Sequence, residues 1–95
     1  MKLESDFQKY FREALENILP GCIILKNDPT LRQGFPDLIL LYKNKYAIFE
    51  MKRNSKSSKR PNQQYYIDYL GQWVIARIVS PENYKEVLNE VQRSF

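Results

Sequence analysis

The stretch that decides the fold is Gly34-Phe35-Pro36-Asp37-Leu38-Ile39-Leu40-Leu41-Tyr42, then Lys43-Asn44-Lys45, then Tyr46-Ala47-Ile48-Phe49-Glu50-Met51-Lys52. Two apolar runs rich in Leu, Ile, Tyr and Phe flank a short polar turn. The pattern predicts strands over Leu38–Tyr42 and Tyr46–Lys52, joined as an antiparallel hairpin. Two acids sit where a strand would favour an apolar residue. Asp37 opens the first run and Glu50 interrupts the second. A carboxylate buried without a partner is costly, so each position calls for a reason.

Side chains alternate along a strand, so Glu50 and Lys52 share one face. A two-residue loop at Lys43-Asn44 pairs Tyr42 with Lys45 and brings Asp37 opposite Glu50. A loop at Asn44-Lys45 makes the two acids diagonal neighbours. Either register gathers Asp37, Glu50 and Lys52 on one face. A three-residue loop would send Asp37 to the other face unless a bulge corrects it. Facing carboxylates repel unless a cation lies between them, and a hard divalent ion with oxygen ligands suits the gap. Beside it, Lys52 is placed to stabilise developing negative charge. Such a set fits activation of water against a phosphodiester. The plainer alternative is that Asp37 caps a turn while Glu50 pairs with Lys52 or another base on an exposed sheet face.

Working outward, Phe7, Tyr10, Phe11, Ala14, Leu15 and Ile18 recur at helical spacing and predict an amphipathic helix over roughly residues 4–19, ended by Pro20-Gly21. Cys22-Ile23-Ile24-Leu25 reads as a strand, stopped by Asn27-Asp28-Pro29. Pro61 suits a helix first turn, with Gln63, Tyr66, Ile67 and Leu70 inside and Gly71 as C-cap. Trp73–Val79 reads as a fourth strand. Ser80-Pro81-Glu82 predicts the N-cap and first turn of a last helix carrying Tyr84, Val87, Leu88 and Val91. The order αβββαβα implies one α/β domain over residues 1–95, with a single mixed sheet flanked by helices.

Composition narrows the chemistry. The chain has 95 residues, 43% hydrophobic and 27% charged, which suits one small globular domain. No apolar run approaches the roughly 20 residues that span a bilayer, so no membrane partner is expected. Met1–Asp6 contains no apolar run, so no signal peptide and an intracellular location are expected. There is no histidine and one cysteine, Cys22. That excludes His-based triads, imidazole zinc sites, Cys-rich zinc sites and an internal disulfide. Cys22 reads as a small buried hydrophobe rather than a nucleophile.

The net charge is +4 and is concentrated in one place. Lys52 to Arg60 carries five bases and no acid: Lys52, Arg53, Lys56, Lys59 and Arg60. Serines lie between them. The run fits a phosphate-contacting loop, or simply a solvated one. Arg32, in the loop before Asp37, fits phosphate contact or solvation equally. Lys26 and Asn27 end the first strand and are further candidates to face DNA. Tyr65, Tyr66 and Tyr69 could stack on bases, although core or dimer surface is the more ordinary use. Trp73 reads as core.

Taken together, Gly34-Phe35-Pro36-Asp37-Leu38-Ile39-Leu40 and Phe49-Glu50-Met51-Lys52 resemble the core of the PD-(D/E)xK nuclease superfamily. Within it, the chain resembles the VRR-NUC family, particularly its small stand-alone phage members. Arg60-Pro61-Asn62-Gln63, with Leu70 seven residues after Gln63, is similar to that family's post-core helix and its glutamine. Glu4, one turn before Phe7, resembles the family's N-terminal glutamate. The resemblance spans about residues 4–91 in the family's element order. It implies that Asp37, Glu50, the main-chain carbonyl of Met51 and Glu4 hold Mg²⁺ or Mn²⁺. It implies that Lys52 is the catalytic lysine and that Gln63 supports the site. Gln64 is adjacent, and the spacing to Leu70 favours Gln63. The implied activity is metal-dependent endonucleolytic cleavage of DNA, often at four-way junctions or flaps, by a homodimer without an organic cofactor. Two other classes remain on the sequence: a DNA-binding module with a degenerate site, and an assembly protein whose charged face meets a protein partner.

Overall fold

The computed structural model describes residues 4–28, 30–57 and 61–95, with only the backbone described at Glu4. The chain forms α1 (Glu4–Ile18), β1 (Ile23–Lys26), β2 (Leu38–Tyr42), β3 (Lys45–Met51), α2 (Pro61–Leu70), β4 (Ile75–Val79) and α3 (Tyr84–Ser94). This is the expected αβββαβα order. The four strands make one mixed sheet in the order β1-β2-β3-β4. The first two pairings are antiparallel, and β4 joins β3 in parallel after α2 crosses over.

Period-2 alternation divides the sheet into two faces. Leu38, Leu40, Ala47, Phe49, Met51 and Val79 point to one side. There they pack against Phe7, Phe11 and Leu15 of α1 and Val87 and Val91 of α3, which recur every three or four residues. The Phe11 and Phe49 rings meet edge to face at 5.2 Å. On the opposite side, Ile48 and Ala76 pack under Ile67 of α2, with Phe35, Ile39, Leu70 and Ile78 around them. β3 therefore supplies both faces, one residue at a time.

The hairpin adopts the Lys43-Asn44 loop. Tyr42 pairs with Lys45 and Leu38 with Phe49. Lys43 takes φ 57°, the positive value that a two-residue hairpin turn needs at its first central position. One step beyond Leu38 and Phe49, the same register sets Asp37 opposite Glu50.

Three expectations are corrected. β1 starts one residue later than expected, at Ile23, because Cys22 N–H still bonds back to the Leu19 carbonyl at 3.0 Å and closes the turn after α1. Trp73 is not core: it is 63% exposed. It lies in the turn after α2, where its N–H bonds to the Leu70 carbonyl at 3.0 Å, and β4 begins only at Ile75. The last helix starts at Tyr84 rather than at Pro81. Asn83 explains this, because its side chain accepts from Ser80 N–H at 2.8 Å and donates to the Ile78 carbonyl at 2.9 Å. The Ser80–Asn83 segment is thereby held as a turn, with Asn83 N–H bonded to the Ser80 carbonyl at 3.1 Å. No described helix is long and apolar enough to cross a membrane.

Candidate active site

Asp37 stands at the end of the loop that leads into β2. The loop is braced from within. Asn27 N–H donates to the Asp37 carbonyl at 2.8 Å, and Asn27 Nδ2 donates to the carbonyls of Arg32 and Phe35 at 3.1 and 3.4 Å. Asn27 was a candidate to face DNA; here its side chain holds the loop instead. Lys26 beside it is exposed. Phe35 packs on Tyr66 of α2 with ring centroids 5.0 Å apart. Gly34 has φ 81°, and a Cβ there would lie 2.7 Å from Asn62 Cβ, so the loop runs hard against the start of α2. Only glycine meets both demands without strain.

Across the hairpin, Glu50 is 2% exposed. Its Oε2 pairs with Lys52 Nζ at 3.2 Å. Its Oε1 is buried with no hydrogen-bond partner among the described residues. Burial pushes the Glu50 carboxyl up to about 7, and the Asp37 charge adds to that rise. The Lys52 ammonium pulls the other way and does not offset them. Asp37 Oδ2 accepts the Met51 N–H at 2.9 Å. In an extended strand the N–H and C=O of one residue point to the same edge, so the Met51 carbonyl is turned toward Asp37 as well. Among the described residues no third His, Cys, Asp or Glu joins the pair.

Lys52 is held on both sides. Besides Glu50, its ammonium donates to Gln63 Oε1 of α2 at 3.1 Å. Gln64 instead donates to Asp68 Oδ1, one turn further along α2, at 2.8 Å. The contacts of the two neighbouring glutamines thus separate, and Gln63 is the one that meets the lysine.

The other candidates distribute around this centre. Arg53 and Lys56 are exposed in the loop after β3. Asn54 shapes that loop by accepting from Lys56 N–H at 2.9 Å, an Asx turn legible in Asn54-Ser55-Lys56. The loop is pinned across the molecule, since Ser55 N–H and Oγ both donate to Glu82 Oε2 at 3.0 Å. Glu82, expected in a helix first turn, serves the loop; no local sequence signal pairs it with Ser55. A cavity of about 160 Å³ is lined by Lys52, Asn54, Ser57, Ile78, Ser80 and Asn83. Arg32 is exposed, with Nη1 3.4 Å from the Tyr66 hydroxyl. Lys59 and Arg60 lie outside the described residues. So does the Glu4 side chain, although Glu4 begins α1. Cys22 is half-buried, and burial raises its thiol pKa, which does not suit a nucleophile.

Asp37 before β2, Glu50 and Lys52 at the end of β3, and Gln63 on α2 are thus brought together, with the Met51 main chain beside them. Two acids, one of them with an unsatisfied buried oxygen, and a main-chain carbonyl make a donor set of hard oxygens. That set suits Mg²⁺ or Mn²⁺, which take one or two carboxylates and leave positions for water and phosphate. Neither a protein-family model, nor a curated protein, nor a solved structure matches the chain.

Proposed function

We propose that the chain is a divalent-metal-dependent DNA endonuclease of the PD-(D/E)xK type, close to the VRR-NUC family. One observation carries the reading: a buried carboxylate with an orphaned oxygen faces a second carboxylate, with a lysine held beside them by a glutamine. A protein using Glu50 only for stability would have no reason to bury its Oε1 without a partner.

Asp37, Glu50 and the Met51 carbonyl would hold the metal, with Glu4 as a further ligand from α1. The metal, when bound, polarises the phosphodiester and lowers the pKa of water. Asp37 is oriented by the Met51 N–H. Glu50 is an acceptor whose proton leaves near neutral pH. Lys52 supplies a positive charge where the phosphorane gains negative charge. Gln63 aims Lys52 and occupies one of its three donors. Arg32, Arg53, Lys56, Lys59 and Arg60 would contact phosphates on either side of the cut. The substrate we propose is branched DNA, a four-way junction or flap, met by a homodimer whose two-fold axis matches the two strands of a junction.

The test is cleavage of a labelled four-way junction beside a linear duplex and a flap, in Mg²⁺, Mn²⁺ or EDTA. Metal-dependent cutting of the junction in preference to the duplex is expected. Salt-sensitive binding with no cutting in either metal would assign the chain to non-catalytic DNA-binding modules instead.

A further inference from the structure

Large aromatic side chains on α2 and the turn after it are left uncovered. Tyr65 is 59% exposed, Tyr69 47% and Trp73 63%. They recur every four residues and form one strip down a flank of the helix. The Tyr65 and Tyr69 rings lie nearly parallel, 7° apart in plane, at 5.9 Å. Trp73 meets Tyr69 edge to face at 5.0 Å. The strip supports itself, yet its outer ring faces stay open to solvent.

Its position relates it to the site. The Tyr65 ring touches the Tyr66 ring at 5.4 Å, and Tyr66 carries Arg32 on its hydroxyl. At the other end Trp73 lines an open cavity of about 460 Å³ with Tyr46, Lys45 and Arg77. Arg32 therefore stands at one end and Lys45, its ammonium on the Ser94 carbonyl at 2.7 Å, at the other, while Arg77 is paired with Glu90. The acid of α2, Asp68, is three residues from Tyr65 and so borders the strip, where Gln64 Nε2 donates to it at 2.8 Å.

Charge decides what fits such a surface. A second copy laid on it by a two-fold axis would bring like-charged borders together. A polyanion would be drawn to them, and its bases have flat faces that stack on aromatic rings whatever the sequence. Duplex DNA hides those faces, whereas single strands and the frayed arms of a branch present them.

We propose that Tyr65, Tyr69 and Trp73 form a stacking platform for unpaired bases, with Arg32 and Lys45 holding the flanking phosphates. The platform would select branched over linear DNA by binding the bases that only a branch exposes. This rests on the nuclease reading for the position of the cut, but the binding itself needs neither metal nor cleavage.

Trp73 is the only tryptophan in the chain, so its fluorescence reports the platform directly. The full chain is titrated in EDTA at low salt with an oligothymidylate and with a blunt duplex of equal length. Quenching of Trp73 by the single strand, much stronger than by the duplex, is expected. Tyr65→Ala and Tyr69→Ala should each weaken single-strand binding by about 5- to 150-fold and leave the melting temperature in place. Binding followed by anisotropy without quenching overturns the platform, and so does no binding at all. A Trp73 signal that changes with protein concentration alone, with a doubled mass, also overturns it and gives this face to a second copy. Quenching without cleavage of any DNA in either metal keeps the platform and removes the nuclease. Cleavage with full junction preference in the Tyr65→Ala/Tyr69→Ala chain does the reverse.

Discussion

Gln63 accepts a hydrogen bond from the Lys52 ammonium at 3.1 Å, while the same ammonium pairs with the Glu50 carboxylate at 3.2 Å. The ammonium is thereby fixed between a neutral and a charged acceptor. A lysine with four rotatable bonds points in one direction only when something beyond its own strand holds it. Gln63→Ala should lower the cleavage rate by about 10- to 100-fold, the range for losing a residue that orients a reactive group. Gln64→Ala, which removes only the contact to Asp68, should cleave at the normal rate. Single-turnover rates on one junction decide it; equal losses in both variants would sink the assignment.

The half-buried Asp37 and the buried Glu50 divide in what they do for stability. Asp37→Ala should abolish cleavage and also cost about 1–3 kcal/mol, because the Met51 N–H loses its acceptor. Glu50→Gln should abolish cleavage equally but raise the melting temperature at pH 8, since it removes a buried charge. Calorimetry of the two variants beside the parent tests the contrast.

pH should reveal Glu50 in the metal-free protein. Its folded-state carboxyl is pushed up to about 7 by burial and by Asp37, against about 4.3 for a free glutamate. The folded state therefore binds the proton more tightly than the unfolded state. The stability this gives is complete below about pH 4.3 and is lost as pH rises through about 7. At about 1.4 kcal/mol per unit, the loss is on the order of a few kcal/mol. Unfolding by urea at pH 5 and pH 8 should show it in the parent and not in Glu50→Gln. Adding Mn²⁺ at pH 8 should restore what deprotonation removes, because the metal binds the folded chain alone.

Gly34 is where the loop, α2 and the site meet. Gly34→Ala forces a side chain into φ 81° and to within 2.7 Å of Asn62 Cβ. The left-handed backbone alone costs about 1–2 kcal/mol. The contact is with a Cβ, which cannot swing aside, so α2 must shift and carry Gln63 with it. We expect a lower melting temperature together with slower cleavage. Adding Asn62→Gly should recover the cleavage rate more than the melting temperature, since φ at residue 34 stays strained.

Much of the architecture was legible from periodicity. The Phe7–Phe11–Leu15 stripe, the hairpin and the crossover helix were each announced locally. The register was open among two two-residue loops and a three-residue one, because Lys43-Asn44-Lys45 contains no glycine of the kind that normally marks a positive φ. Trp73 defeated the reading for a different reason. An aromatic before a β-branched strand looks like core, yet α2 ends at Leu70 and the turn leaves the ring on its flank. Ser80-Pro81-Glu82 has every local mark of a helix start. Asn83 overrides them with two side-chain bonds, and Glu82 is taken by Ser55 from 27 residues away. Gln63 and Gln64 could be told apart only by their partners in space.

The shared use of β3 limits how this chain can vary. Phe49 and Met51 close the core on one face while Glu50 reaches the site on the other. A single-residue insertion or deletion between Asp37 and Glu50, with no bulge to absorb it, would turn the two acids to opposite faces of the sheet. Adding residues two at a time keeps them on one face. Descendants of this chain are therefore free to lengthen the hairpin in even steps and to change its tip, while the parity of the spacing between the two acids stays fixed.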